Sequence, residues 1–329
     1  MPLTLHFLNV GRGDCTIIEF PSGRVGMIDI ANLKVLDPDT RDELTQEIRE
    51  SSAYKTAKAR DYNLAAIEAV LLKRAEEQLT DPLDYYDTYM GSTRDIFRMI
   101  VTHPHMDHMT GLYQLHEQEW WKSIMNVWHT GFHDFDLADS TDAEWNNSHY
   151  DKRDWETYTE LRASTGTPKS LQKYQNATGQ YWTEDGIEIW APTRNLENLA
   201  VERNDQNILS MVLKVSHAGK SVVLGGDATA KETWPEIYLQ LDMTDMDILK
   251  ASHHGRKSGY YGYAVKEMSP WLTITSVGEK AHDATDNYRR YSDHTVSLRK
   301  TGDISITIED DGNISYPSEI EDYWKPKKT

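Results

Sequence analysis

Hydrophobic and polar positions alternate with a period of two over the first thirty residues. LTLHFLNV, CTIIEF and RVGMIDI are separated by GRGD and PSG, which predicts a β-meander. Between 34 and 96 the period changes: DPDTRDELTQEIRESS and LAAIEAVLLKRAEEQL space apolar residues three and four apart among charges, so this block is expected to be a helical insertion. Strand texture returns in DIFRMIV and stops abruptly in a loop dense in His and Asp. From 130 to 180 the chain is polar, aromatic and acidic, a second insertion expected to be partly helical. GIEIWAP, LSMVLKVS and KSVVLGGDA then read as strands and KETWPEIYLQL as a helix. The remainder reads as the strand DILKAS, a helix near YAVKEM, the strand LTITSVG, a helix near SDHTVSLRKTG, and a closing strand pair, DISITIED and NISYP. Two β-rich halves with helices between them, and no repeat of fixed period, fit one large domain over 1–329 carrying two insertions.

Composition narrows the partners. Thirty-five Lys+Arg against 53 Asp+Glu give a net charge of −18, which excludes a protein that coats DNA through counterion release but leaves room for a local metal-lined cleft. The single Cys15 forms no internal disulfide, the N-terminus does not read as a leader, and the longest apolar runs are about half of the ~20 residues a bilayer requires. The expectation is a cytoplasmic chain without membrane insertion.

The chemistry concentrates in Thr102-His103-Pro104-His105-Met106-Asp107-His108-Met109-Thr110-Gly111. Three imidazoles and a carboxylate within six positions, directly after a buried strand, suit Zn²⁺, Mn²⁺ or Fe. His103 and His105 are two apart in extended chain and point to one side, while Asp107 and His108 follow the turn and can face a second ion. Asp227, ending VVLGGDA, either bridges two ions or caps the following helix. His253 and His254, ending DILKASHH, offer one ligand and one group that binds or orients substrate.

These segments carry a family resemblance. THPHMDHMTG resembles the H-x-H-x-D-H signature of the metallo-β-lactamase fold. FLNVGRGDCTIIEFPSGRVGMIDI, DGIEIWAPT, Asn207-Ile-Leu-Ser210, VVLGGDA, LKASHHGRKS and TSVGEK are similar, in that order, to the hydrolase domain of ComEC-type DNA-uptake proteins and to phosphorylcholine esterases. The resemblance implies an αββα sandwich of two β-sheets flanked by helices and a centre of two divalent metals, Zn or Mn. It implies a first ion on His103, His105 and Asp227, and a second on Asp107, His108, Asp227 and one of His253/His254. Asp29 would support a ligand from behind, or act as a turn residue; Asp14 divides equally between orienting the site and a turn. Asn207 stands where many relatives place a further His, which implies an oxygen-rich first site. His294 is the nearest match to a late catalytic His, with a purely structural role equally open.

The implied activity is hydrolysis of phosphodiesters by a metal-activated hydroxide, with Asp107, Asp227 and His294 as catalytic candidates and Arg256 and Lys257 as substrate-binding candidates. Arg289 and Arg290 could add to a cationic rim. DNA, RNA or a nucleotide is the leading substrate. A small-molecule esterase of phosphocholine or lactone type is the alternative, and a metal-bearing interaction protein that docks a partner through 34–96 is a third. Trp120, Trp121, Trp145 and Trp155 either stack bases or, more commonly, pack the second insertion onto its domain.

Overall fold

The computed structural model describes residues 1–91, 94–117, 123–130, 141–278 and 283–328. The first half supplies β1 (Leu3–Phe7), β2 (Thr16–Glu19), β3 (Val25–Ile28), β4 (Ile96–Ile100), β5 (Ile124–His129) and β6 (Lys169–Gln172). The second supplies β7 (Ile187–Ala191), β8 (Val212–His217), β9 (Lys220–Leu224), β10 (Ile248–Lys250), β11 (Leu272–Thr275), β12 (His294–Ser297), β13 (Ile304–Ile308), β14 (Ile314–Ser315) and β15 (Lys325–Pro326). One sheet runs β14-β13-β1-β2-β3-β4-β5-β6 and the other β15-β12-β11-β10-β9-β8-β7. Strands β3 to β6 are parallel, as are β9 to β12.

Alternation explains the layering. Leu3, Leu5 and Phe7 of β1 and Ile304, Ile306 and Ile308 of β13 turn the same way, and meet Leu213 and Val215 of β8 and Val222 and Leu224 of β9 in a core between the sheets. Neighbours of opposite parity, Val212, Val223 and Leu249, join a second core beneath the helices of the second half, and Met27, Met99 and Val127 a third beneath those of the first. Three apolar layers separate helix, sheet, sheet and helix, so the architecture is an αββα sandwich.

The first-half helices are α1 (Pro38–Glu50), α2 (Ser52–Ala59), α3 (Leu64–Glu77), α4 (Pro82–Tyr89), α5 (Leu112–Glu117), α6 (Asp142–Asn147) and α7 (Lys152–Ala163). Helices α1 and α4 start alike. Asp37 caps Thr40 N–H and Asp81 caps Leu83 N–H, each followed by Pro, whose missing N–H costs nothing in a first turn. Trp145 of α6 and Trp155 of α7 are buried in the core against the first sheet, which is the packing role and not the base-stacking one. Trp120 and Trp121 lie outside the described residues.

Two local readings are corrected. SDHTVSLRKTG is not a helix throughout: His294–Ser297 pairs in parallel with β11, and only Leu298–Thr301 is helical. HTVS is too short to show a period, and Thr295, Val296 and Ser297 are all buried, so no exposed face marks the alternation. β6 lies within 130–180, the stretch expected to be a second insertion, yet is the edge strand of the first sheet.

Candidate metal centre

Strand direction gathers the donors. Asp29 follows β3, the His-rich loop follows β4, Asp227 follows β9, and His253 and His254 follow β10, so all leave the carboxyl ends of parallel strands. At this end the sheets are tied together by Met211 N–H donating to the Thr102 carbonyl at 2.9 Å. Gly226, at φ +46°, turns the chain before Asp227; a Cβ there would overlap Ser210 Oγ, the oxygen that accepts the Asp227 N–H at 2.7 Å. His253 and His254 both adopt left-handed backbone, φ +50° and +60°, a conformation that costs a β-carbon-bearing residue of order 1 kcal/mol or more.

That strain aims two rings at one point. His254 Nε2 lies 3.3 Å from Asp107 Oδ2 and 3.4 Å from Asp227 Oδ2, and His253 Nε2 lies 3.7 Å from the same Asp227 oxygen. His108 Nε2 is 3.3 Å and His103 Nε2 3.8 Å from it. In each ring the other nitrogen faces the protein. His103 Nδ1 meets Thr102 Oγ1 at 3.1 Å, His108 Nδ1 meets Asp29 at 2.8 Å, His253 Nδ1 meets Ser258 Oγ at 2.9 Å, and His254 Nδ1 faces Asp14 at 3.3 Å. His105 Nδ1 sits 3.1 Å from His103 Nε2. Three overlapping donor sets result: His103, His108 and Asp227; Asp107, His108 and His254; Asp14, Asp227 and His254, with ligand atoms within 4.8 Å of one another in each.

The supporting groups are anchored in turn. Asp29 accepts from the Thr102 N–H and hydroxyl, both at 2.8 Å. Asp14 is held by the buried Lys250 ammonium at 2.6 Å and the Ser276 hydroxyl at 2.5 Å. Asn207 places a buried Oδ1 without a hydrogen-bond partner.

Electrostatics favour a cation here. Burial alone would raise the Asp227 carboxyl, yet His254, His108 and His253 hold it well below the ordinary carboxylate range. Burial, with His108 and His105 alongside, pushes the His103 imidazole down, and burial pushes His105 and His253 down as well, so their lone pairs are available to a ligand-seeking ion. Against the cost of burial, Asp227 with Asp29, and Asp227 with Asp14, push His108 and His254 up. Buried His108 Nε2, His254 Nε2 and Asp227 Oδ1 have no hydrogen-bond partner, an arrangement that is expensive for protein alone and that a divalent metal satisfies. The residues present fit the implied ions.

Five other sequence candidates lie outside the donor cluster. Parallel β11 and β12 run toward the site, so His294, the first residue of β12, lies at the far end of the sheet, stacked on Trp324 at 4.1 Å between ring centres; it is not a catalytic group of this centre. Arg289 and Arg290 are at that same far end, where Arg289 bonds the Pro326 carbonyl. Lys257 is exposed and lies 3.8 Å from Asp283. Arg256 does face the cleft, but paired to Glu43.

Arg12 went unused in the sequence reading and borders the site. Its Nε is 3.9 Å from Asp107, and Gly13 lets this loop approach so closely that a Cβ would overlap the Asp107 carbonyl oxygen. The pairing of glycines around a cation in GRGD was the available signal.

Two sheets flanked by helices, with imidazoles and carboxylates at their common end, give the αββα layout that the sequence resemblance implied. No family model matches the chain, and no curated protein does. Among solved structures it is similar to the metallo-β-lactamase fold protein YhfI from Bacillus subtilis, at 9% identity and a TM-score of 0.44 over 96% of this chain and 100% of that one. It is also similar to CmlA, a diiron β-hydroxylase from Streptomyces venezuelae, at 10% identity and a TM-score of 0.38 over 86% of this chain; the chain spans 47% of CmlA's length. Likeness at this level carries nothing about chemistry, which rests on the side chains above.

Proposed function

We propose that the chain is a dinuclear metal-dependent hydrolase acting on phosphoesters. The observation that carries the reading is that four imidazoles each turn one nitrogen toward Asp107 or Asp227 while the protein engages the other, the arrangement by which metal-binding histidines are oriented. His103, His105 and Asp227 would hold a first ion, with His253 supplying the further imidazole that Asn207 does not. Asp107, His108, His254 and Asp227 would hold a second. Bound ions of this kind provide Lewis acidity and a water acidic enough to ionise near pH 7.

The remaining chemistry belongs to the chain. Asp29 and Asp14 hold His108 and His254 in one orientation, and Lys250 keeps Asp14 charged and fixed. Arg12, at the rim beside Asp107, is committed to Asp39 and Asp37 and borders the entrance as a neutralised pair. A cavity of about 710 Å³ opens from His253, with Arg12 and Arg256 in its wall. That size favours a small ester over a nucleic-acid strand, so the small-molecule reading stands ahead of the nuclease one.

Metal analysis of the purified chain, paired with hydrolysis of bis(p-nitrophenyl) phosphate, tests this. About two ions per chain and metal-dependent turnover are expected, and Asp227→Asn should lose at least one ion together with turnover. Unchanged metal content in that variant would refute the shared-carboxylate role.

A further inference from the structure

The cavity beside the metal centre is walled on one side by α1. Asp39, Asp42, Glu43 and Gln46 line it, at helix positions i, i+3, i+4 and i+7, so a single polar stripe of the first insertion faces the site. Among the described residues the lining holds two guanidiniums against four carboxylates, Asp39, Asp42, Glu43 and Asp283. Both guanidiniums are already taken by α1. Arg12 lies 2.5 Å from Asp39 and 3.5 Å from Asp37, and Arg256 lies 3.3 Å from Glu43, which Arg299 also meets at 3.0 Å. Asp283 has Lys257 beside it. Asp42 alone in this wall has no ion-pair partner among the described residues.

Among the described residues, a polyanion entering here would find no uncommitted cation for a second phosphate and would lie against the Asp42 carboxylate. A substrate with a positive charge beyond its phosphate would meet a fixed counter-charge. No Trp, Tyr or Phe lines the cavity among the described residues, so a quaternary ammonium would lack the aromatic faces it prefers, whereas an N–H cation gains hydrogen bonds from carboxylates.

We propose that α1 is the specificity element of the site: the substrate is a small phosphoester whose remaining portion carries a primary ammonium or guanidinium seated against Asp42, and polynucleotides are rejected. This rests on the phosphoester reading of the metal centre. Calorimetric titration of the metal-loaded chain with four probes tests it: O-phosphorylethanolamine, ethyl phosphate, O-phosphorylcholine and hexathymidylate. O-phosphorylethanolamine should bind about fivefold tighter than ethyl phosphate, the scale of one exposed ion pair. Asp42→Asn should remove that advantage and leave ethyl phosphate binding unchanged; Asp42 is exposed on the helix surface, so the variant folds. Equal binding of the ethyl and aminoethyl probes, O-phosphorylcholine matching O-phosphorylethanolamine, an advantage that survives Asp42→Asn, or hexathymidylate as the tightest ligand would each overturn the proposal while sparing the metal-centre reading. Failure of all four probes to bind would overturn both.

Discussion

Asp154 is a carboxylate whose burial sets a pH-dependent penalty on the fold. It lies in the first turn of α7 at 5% exposure and accepts the Tyr113 N–H at 2.8 Å, joining the second insertion to α5, the helix that leaves the metal loop. Burial raises its pKa to about 7 from 3.8. Below pH 4 the acid is neutral whether the chain is folded or not, and it contributes nothing. Between pH 4 and 7 the unfolded chain releases a proton that the folded chain keeps, so stability falls as pH rises; above 7 the loss is complete. Three pH units at about 1.4 kcal/mol each give roughly 4 kcal/mol, from which the favourable place of an anion at a helix N-terminus subtracts about 0.5–1 kcal/mol. Asp154→Asn keeps an acceptor for Tyr113 and removes the titration. Urea denaturation should therefore show a gain over the parent of no more than about 1 kcal/mol at pH 4.5 and of about 3–3.5 kcal/mol at pH 8. An equal effect at both pH values, or a loss at pH 8, would refute the assignment of the cost to desolvation.

Other perturbations probe the site and its surroundings. Asp29→Asn suits the left-handed backbone there, φ +55°, keeps an acceptor for the Thr102 N–H and weakens the support of His108 along with the bond from the Thr102 hydroxyl; metal affinity should fall 10- to 100-fold in a chelator competition while the melting temperature of the metal-free chain stays within a few degrees. An unchanged affinity would show that His108 does not depend on Asp29. His294→Ala should leave turnover of a phosphodiester within twofold of the parent and lower stability by about 1 kcal/mol through the lost Trp324 stacking. A hundredfold loss of turnover in that variant would place the residue back in the reaction.

What could be read from the residues alone depended on how local each signal was. Strands β1 to β3 were legible because their alternation is regular and their turns carry Gly and Pro. The loop from His103 to His108 was legible because so many donors in so short a stretch have few other uses. The convergence of His253 with His254 was not, since two consecutive left-handed residues leave no mark in the sequence. His294 misled because a residue's place along a parallel strand decides which end of the sheet it occupies, and β12 itself was hidden in a four-residue strand with three buried positions. The acidic stripe of α1 looks like any solvated helix face until the element opposite it is known. Arg98, buried on β4 and bonded to Asp185 at 2.7 Å, is likewise a pairing across 87 residues that composition cannot announce.

The donors run from Asp14 to His254 and come from both sheets. During synthesis, then, a nascent chain owns no complete donor set until Asp227 has emerged behind the ninth strand, and the two sets that use His254 wait for the tenth. Loading of the proposed ions would therefore be a late event that favours the finished sandwich by mass action, and a chain cut short before residue 227 would hold none of the three donor sets.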